Sequence, residues 1–204
     1  MSAAPIESVV FDIGWVLIHL KYPPLHQYLC ARGAVAPTLH TTLDACGLAE
    51  HECGRLTGSD FLARMNAALA APVPAEELHA LWISMFEPDQ RMLALARQLS
   101  GSRRVYLLSN IGELHWSQLS REYRLDALGH GAALSYLAGV MKPAAGIYAY
   151  AEQRFALTPG RTVFIDDRAE NIAAARARGW HGIVHEDYAA TRAALADLGV
   201  CGGP

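Results

Sequence analysis

The chain has 204 residues, 52% of them hydrophobic and 18% charged, enough for one sizeable core or a core with a small appended module and too apolar for a disordered chain. Its net charge of −3 supplies no basic face for nucleic acid or an anionic membrane, and no stretch approaches the roughly 20 apolar residues of a bilayer span. The opening "MSAAPIESVV" lacks the pattern of a secretory leader, and Cys30, Cys46, Cys53 and Cys201 show neither CxxC spacing nor a dense framework, so a cytoplasmic protein with reduced thiols is expected.

In chain order, the first element is the β-rich run "SVVFD", which ends on Asp12. Residues 18–88 show helical patterns without a convincing strand, including "SDFLARMNAALA" with Ser59 or Asp60 as N-cap candidate and "PAEELHALWISMF" starting near Pro74 or Ala75. A helix over 89–99 stops at Gly101, and the run "RVYLLSN" then leads to Asn110. A weaker strand falls within 132–139, a helix spans 146–157, and "TVFIDD" ends on Asp166 and Asp167. An alanine-rich helix over 169–179 and a short strand "HGIVH" at 181–185 complete the pattern. Near-continuous apolar strands alternating with helices predict an α/β fold: a Rossmann-like parallel sheet flanked by helices, with a small α-helical module inserted after the first strand.

Ligands of such sheets bind beyond the carboxyl ends of the strands, where Asp12, Ser109, Asn110, Asp166 and Asp167 all fall. Lys142, in "GVMKPAAGIY", follows the fourth candidate strand and lies at the same edge. Carboxylates with carbonyl oxygens form a hard-oxygen site of the kind Mg²⁺ prefers. A hydroxyl, an amide and an ammonium can hold phosphoryl oxygens, and a neighbouring carboxylate can serve as a covalent nucleophile. Asp12, among Val9, Val10, Phe11 and Ile13, must be paired, solvent-facing or bound to a cation, because an unpaired buried carboxylate costs several kcal/mol (~3–5).

The series "FDIGWVL", "LLSN", "MKP" and "FIDDRAEN", in this order and spacing, resembles the four motifs of the haloacid dehalogenase superfamily. "HECGRLTGSDF", "SNIGELH" and "MKPAAGIY" look closest to the branch of bacterial α-D-glucose-1-phosphate phosphatase. The resemblance covers nearly the whole chain and implies a core of residues 1–17 and 89–204 with a helical cap of residues 18–88. It implies a Mg²⁺-dependent phosphomonoester hydrolase of a small phosphorylated metabolite such as a sugar phosphate. Asp12 would form the aspartyl-phosphate, while Ser109, Asn110 and Lys142 would bind the phosphoryl group. Lys142 would also neutralise charge on Asp12. Asp12, Asp167, the backbone carbonyl of Gly14 and the nearby Asp166 would surround the metal, with Asn171 orienting a metal-bound water or Asp167. Glu52 and Gly54 fall in a loop that approaches the active site in relatives.

Position 14 departs from most phosphatases of the superfamily, which carry there an aspartate that exchanges a proton with the leaving alcohol. A positioned acid–base group contributes about 10²–10⁴-fold, so Gly14 predicts a slow or substrate-selective enzyme. Gly14 and Trp15 also support an alternative, an inactive domain that binds a metabolite or protein, against which the presence of Asp12, Lys142 and Asp167 argues. A metal-independent 2-haloacid dehalogenase is a weaker alternative, because that chemistry has no use for paired acids at 166 and 167. Trp15 is expected to pack under the cap, with stacking on substrate as the alternative. Trp82, His79 and Trp116 are expected to be packing residues, and His19, His26, His40 and His51 to be surface or cap-packing residues without metal spacing.

Overall fold

In the computed structural model of the chain, residues 4–33 and 38–202 are described; Met1–Ala3, part of the stretch read for a leader, and residues 34–37 of the inserted module lie outside them. The chain runs β1 (Ser8–Phe11), β2 (Ile18–Leu20), α1 (Tyr22–Ala31), α2 (Leu39–Ala45), α3 (Leu48–Glu52), α4 (Gly58–Ala67), α5 (Ala75–Trp82) and β3 (Phe86–Pro88). It continues through α6 (Gln90–Ser100), β4 (Arg104–Ser109), α7 (Glu113–Tyr123), β5 (Ala132–Leu134), α8 (Ser135–Ala138) and α9 (Ala145–Phe155). The remaining elements are β6 (Thr162–Asp166), α10 (Ala169–Ala177), β7 (His181–Val184) and α11 (Tyr188–Asp197).

Five strands pair in the order β5-β4-β1-β6-β7, and every pairing is parallel. The apolar strands follow from burial on both faces. Val9, Phe11, Val105, Leu107, Val163 and Ile165 point into one helical layer with Met92, Leu99 and Leu195. Val10, Tyr106, Leu108 and Phe164 alternate into the other, against Ile147, Tyr148, Ile172 and Ala175. Each strand thus obeys the period of two while reading as uniformly apolar.

Helices α1–α5 bury a third cluster of their own, with Leu25, Leu29, Phe61, Met65, Leu78 and Trp82 at its centre. Contrary to expectation, the 18–88 stretch also contains strands. β2 and β3 form an antiparallel ribbon with Leu20 opposite Phe86, at the two points where the chain leaves and re-enters the sheet. Three-residue strands are too short to display a period, and their partner is remote in sequence. The 132–139 strand is likewise shorter than expected, giving way to α8 at Ser135. The N-cap of α4 is Thr57, whose hydroxyl accepts the Asp60 N–H at 3.1 Å, ahead of the Ser59 and Asp60 candidates. Among the described residues no helix is long and apolar enough to cross a membrane.

Candidate active site

The register of the three central strands, with Phe11 opposite both Leu107 and Ile165, brings Asp12, Ser109, Asp166 and Asp167 to one sheet edge. The chain is fixed there by the Asp12 N–H, which donates to the Ile165 carbonyl at 2.9 Å, and by the Ile13 N–H, which donates to Asp12 Oδ1 at 2.7 Å. Lys142 Nζ lies 2.8 Å from Asp12 Oδ1 and 2.7 Å from Asp166 Oδ2, with its side chain only 2% exposed. The apolar strand therefore ends in a paired carboxylate. Burial pushes the Asp12 carboxyl up to about 7, against the pull of the Lys142 ammonium. Burial alone would lower Lys142, but Asp12 and Asp166 together more than offset it and keep the ammonium charged.

Asn110 lines the cavity beside Ser109 and also fixes Lys142. Its Oδ1 accepts the Lys142 N–H at 2.7 Å and its Nδ2 donates to the Lys142 carbonyl at 3.0 Å, so the carboxamide holds the Lys142 backbone in place. Ser109, 3% exposed, stands at the end of β4 and lines the hollow above Asp12.

Asp12, Asp166 and Asp167 each place a carboxylate oxygen within 4.8 Å of the others, a separation that could hold a metal ion. Their oxygens are not equally free. Asp166 Oδ1 accepts from the Arg168 N–H at 2.8 Å and Asn171 Nδ2 at 2.9 Å. Asp166 Oδ2 accepts from Lys142 Nζ at 2.7 Å and Asn171 Nδ2 at 3.0 Å. With both oxygens occupied, Asp166 is set to orient Lys142 while Asp12 and Asp167 face the hollow. Asn171 grips Asp166 rather than Asp167, and its own Oδ1 is buried with no partner, an acceptor suited to water on a cation. Burial, reinforced by the Asp166 charge, raises the Asp167 carboxyl, and a cation there would relieve both effects.

Over this edge lies a cavity of about 490 Å³, closed on its far side by the β2–β3 ribbon and by helices from the 22–82 stretch. Gly14 lines it beside Asp12 with room to spare: a Cβ there would meet Leu20 at an ordinary 3.6 Å. The missing carboxyl is thus no steric necessity. Trp15 does not pack under the helices as expected. It takes a left-handed backbone with φ of 59°, is 43% exposed, and joins His19 and Tyr22 in an aromatic group at the rim.

Glu52 reaches the same cavity from the end of α3. Its position is clamped to the sheet layer: Ser135 Oγ donates to the Glu52 carbonyl at 2.6 Å, and Ser135 also accepts the Ile111 N–H at 2.9 Å. Two residues on, Gly54 has φ of +68°, and a Cβ there would collide with the Tyr136 carbonyl oxygen. The "HECG" turn needs glycine for both reasons. Burial raises the Glu52 carboxyl to about 7, with Lys142 opposing and Asp12 and Asp44 adding to the rise.

Trp82 packs as expected, at 2% exposure, yet it also forms part of the cavity wall. Its ring stacks on His115 at 4.3 Å, and its carbonyl lies 3.1 Å from His115 Nε2. His79 faces a separate groove beside Leu62 and Asn66, and Trp116 packs against the main core, so neither reaches the site. His19 approaches Asp89 at 3.7 Å, and His51 is buried with its ring stacked on Phe61. His40 does line the cavity, as do Tyr22 and His115, which composition did not flag. A four-residue spacing was the available signal, since Ile111, His115 and Leu119 all face the cavity.

A family model for haloacid dehalogenase-like hydrolases matches residues 9–179. The chain belongs to that family. It is 28% identical over 199 residues to a sesquiterpene phosphatase of Aspergillus oryzae, spanning 96% of this chain and 97% of the relative. It is 29% identical over 199 residues to a D-ribitol-5-phosphate phosphatase of Bacteroides thetaiotaomicron, spanning 93% and 97% of the two chains. A crystal structure of a haloacid dehalogenase family enzyme from Bacteroides thetaiotaomicron superposes with a TM-score of 0.82 at 25% identity, covering 91% of this chain and 98% of that one. The L-2-haloacid dehalogenase of Xanthobacter autotrophicus shares the fold at a TM-score of 0.61 and 16% identity, covering 94% of this chain and 83% of that one. The haloacid dehalogenase-like motifs at Asp12, Ser109, Lys142 and Asp167 thus meet at one strand edge under one cavity.

Proposed function

We propose that this haloacid dehalogenase-like hydrolase is a Mg²⁺-dependent phosphomonoesterase acting on a small phosphorylated metabolite in the cytoplasm. In this reading residues 18–88 are its cap domain, and residues 1–17 and 89–204 its core. The observation that carries the reading is Asp12 at the strand end, held by Lys142 at 2.8 Å, with an Asp167 oxygen within 4.8 Å and the cavity above both. Two relatives named as phosphatases support it, as does the Bacteroides thetaiotaomicron enzyme, whose structure was also determined in complex with magnesium and inorganic phosphate.

A carboxylate oxygen of Asp12 attacks phosphorus, the ester P–O bond breaks, and the leaving oxygen takes a proton to become an alcohol. Water then cleaves the aspartyl-phosphate, releasing inorganic phosphate and restoring the Asp12 carboxylate. Lys142 holds Asp12 in line and balances the phosphoryl charge, Ser109 contacts a phosphoryl oxygen, and Asn110 fixes Lys142 through its backbone. Mg²⁺, when bound by Asp12, Asp167 and the Gly14 carbonyl, would supply charge neutralisation on the phosphoryl oxygens, with Asp166 and Asn171 positioning the set. Glu52 is the cavity-lining acid outside the strand-end cluster among the described residues, and its carboxyl near 7 suits exchange of a proton with the leaving oxygen.

The test is phosphate release from a panel of phosphomonoesters with Mg²⁺ or with EDTA, beside Asp12→Asn. Release abolished by EDTA and by the substitution is expected. Turnover that persists in either case overturns the mechanism, and chloride release from 2-chloropropionate in EDTA would favour the dehalogenase alternative. Binding of a metabolite or protein without turnover on any ester would favour an inactive domain. The two relatives carry a terpenoid and a polyol phosphate in their names, so the resemblance alone does not choose a sugar phosphate.

A further inference from the structure

The polar groups of the cavity are not spread over its walls. Asp12, Ser109, Lys142, Asp167 and Asn171 gather at the sheet edge. Glu52 joins them from the end of α3, where its carbonyl accepts from Ser135 Oγ just beyond β5 at 2.6 Å. Tyr22 is 38% exposed, and the side chains of His40 and Arg168 are 80% and 60% exposed, so these three belong to the solvent-facing part.

The wall contributed by the cap helices and the ribbon has another character. Its apolar part is built from Leu20, Leu43, Leu48, Trp82 and Phe86, and His115 of α7 continues it. The histidine adds little polarity. It stacks on Trp82 at 4.3 Å, meets the Phe86 ring edge-on at 4.9 Å, and engages Nε2 with the Trp82 carbonyl at 3.1 Å. Burial pushes its pKa down to about 3, so the ring is neutral throughout the physiological range. Trp82 Nε1 is buried without a partner, so the indole N–H is a single unspent donor on a wall whose other side chains from the ribbon and the helices of the 22–82 stretch are hydrocarbon.

A polyol seated against this wall would leave several hydroxyls unpaired, each at a desolvation cost that a sugar site avoids with side-chain amides and carboxylates. A hydrocarbon loses nothing there and gains the burial of its own surface. We propose that the alcohol released by this enzyme is apolar: the substrate is a phosphomonoester of a branched, prenyl-like or aryl-alkyl alcohol whose hydrocarbon lies on Leu43, Leu48, Trp82 and Phe86. The proposal rests on the phosphatase reading above and departs from the sugar phosphate that the motifs suggested.

The test compares n-alkyl phosphates from ethyl to octyl, geranyl phosphate and 2-phenylethyl phosphate with ribitol 5-phosphate, glucose 1-phosphate and glucose 6-phosphate, all with Mg²⁺. Each added methylene should raise kcat/KM by about fourfold until the cavity is filled. The longer apolar esters should exceed every polyol phosphate at least tenfold. Leu43→Asn should lower the octyl-to-ethyl ratio. Polyol phosphates turned over faster than octyl and geranyl phosphate, or a flat chain-length series, overturns the apolar pocket and leaves the phosphatase reading standing. Calorimetric binding of the matching alkylphosphonates separates the other case. Affinity that rises with chain length, with no ester hydrolysed, keeps the pocket and overturns the phosphatase reading. Alkylphosphonate affinity independent of chain length overturns the pocket, whatever the turnover.

Discussion

Replacing Lys142 by Met removes the ammonium from between two carboxylates while keeping much of the side-chain volume. In the native chain Nζ stands 2.8 Å from Asp12 and 2.7 Å from Asp166, and the three side chains are 2%, 9% and 0% exposed. Without the lysine, Asp12 and Asp166 would face one another with oxygens within 4.8 Å. Two unit charges at that separation repel by about 3.5 kcal/mol at an effective dielectric of about 20, and removing one partner of a buried ion pair costs about 3–5 kcal/mol. We therefore expect Lys142→Met to lower the unfolding free energy by about 3–5 kcal/mol at pH 7.5, read from urea titrations with an unchanged m-value. Burial already raises Asp12, and the variant removes the Lys142 pull that opposes it, so the charged Asp12 destabilises the fold above the unfolded pKa. Protonation as pH falls toward 4.5 should recover at least half of the loss. Millimolar Mg²⁺ should also recover part of it by returning positive charge to the cluster. A loss below about 1 kcal/mol at pH 7.5, or an equal loss at both pH values, would refute the claim that these carboxylates depend on Lys142 for their charge.

Gly14→Asp meets no obstacle at its Cβ and restores a carboxyl two residues from the nucleophile, so turnover of alkyl esters should rise about tenfold or more with stability changed by less than about 1 kcal/mol. Glu52→Gln should lower kcat for alkyl phosphates by about 10–100-fold and remove one limb of their pH profile, while p-nitrophenyl phosphate, whose leaving group needs no proton, is affected far less. Gly54→Ala forces a Cβ into the Tyr136 carbonyl and should cost about 1–3 kcal/mol of stability in chemical denaturation, together with turnover as Glu52 is displaced. His115, with its pKa lowered from 6.5 to about 3, stabilises the fold in its neutral form, and that contribution is lost as pH falls below 6.5. By pH 5 the loss is at most about 2 kcal/mol, and His115→Gln should flatten this part of the stability profile.

The placement of four expected site residues was legible because each ends an apolar strand or follows one, and a parallel sheet delivers such ends to a single edge. Asp12, Ser109, Lys142 and Asp167 needed only that rule and the motif order. What the groups hold was not legible. Asn110 adjoins Ser109 in sequence, yet its carboxamide turns to the backbone of Lys142. Asn171 reaches back across the helix start to Asp166 instead of Asp167. Trp15 was expected beneath the inserted helices but lies at the rim, its backbone left-handed and its ring against His19 and Tyr22.

The sequence by itself determined the parallel α/β core, the helical insertion and the residue types available for phosphoryl chemistry. Local propensity, strand burial and motif order are written in contiguous segments. Only the tertiary structure decided the character of the cavity. Its wall joins Leu20, Leu43, Leu48, Trp82, Phe86 and His115 from the ribbon, α2, α3, α5 and α7. Side chains from segments this far apart in the chain become neighbours through packing alone, and packing leaves no periodic trace in any one of them.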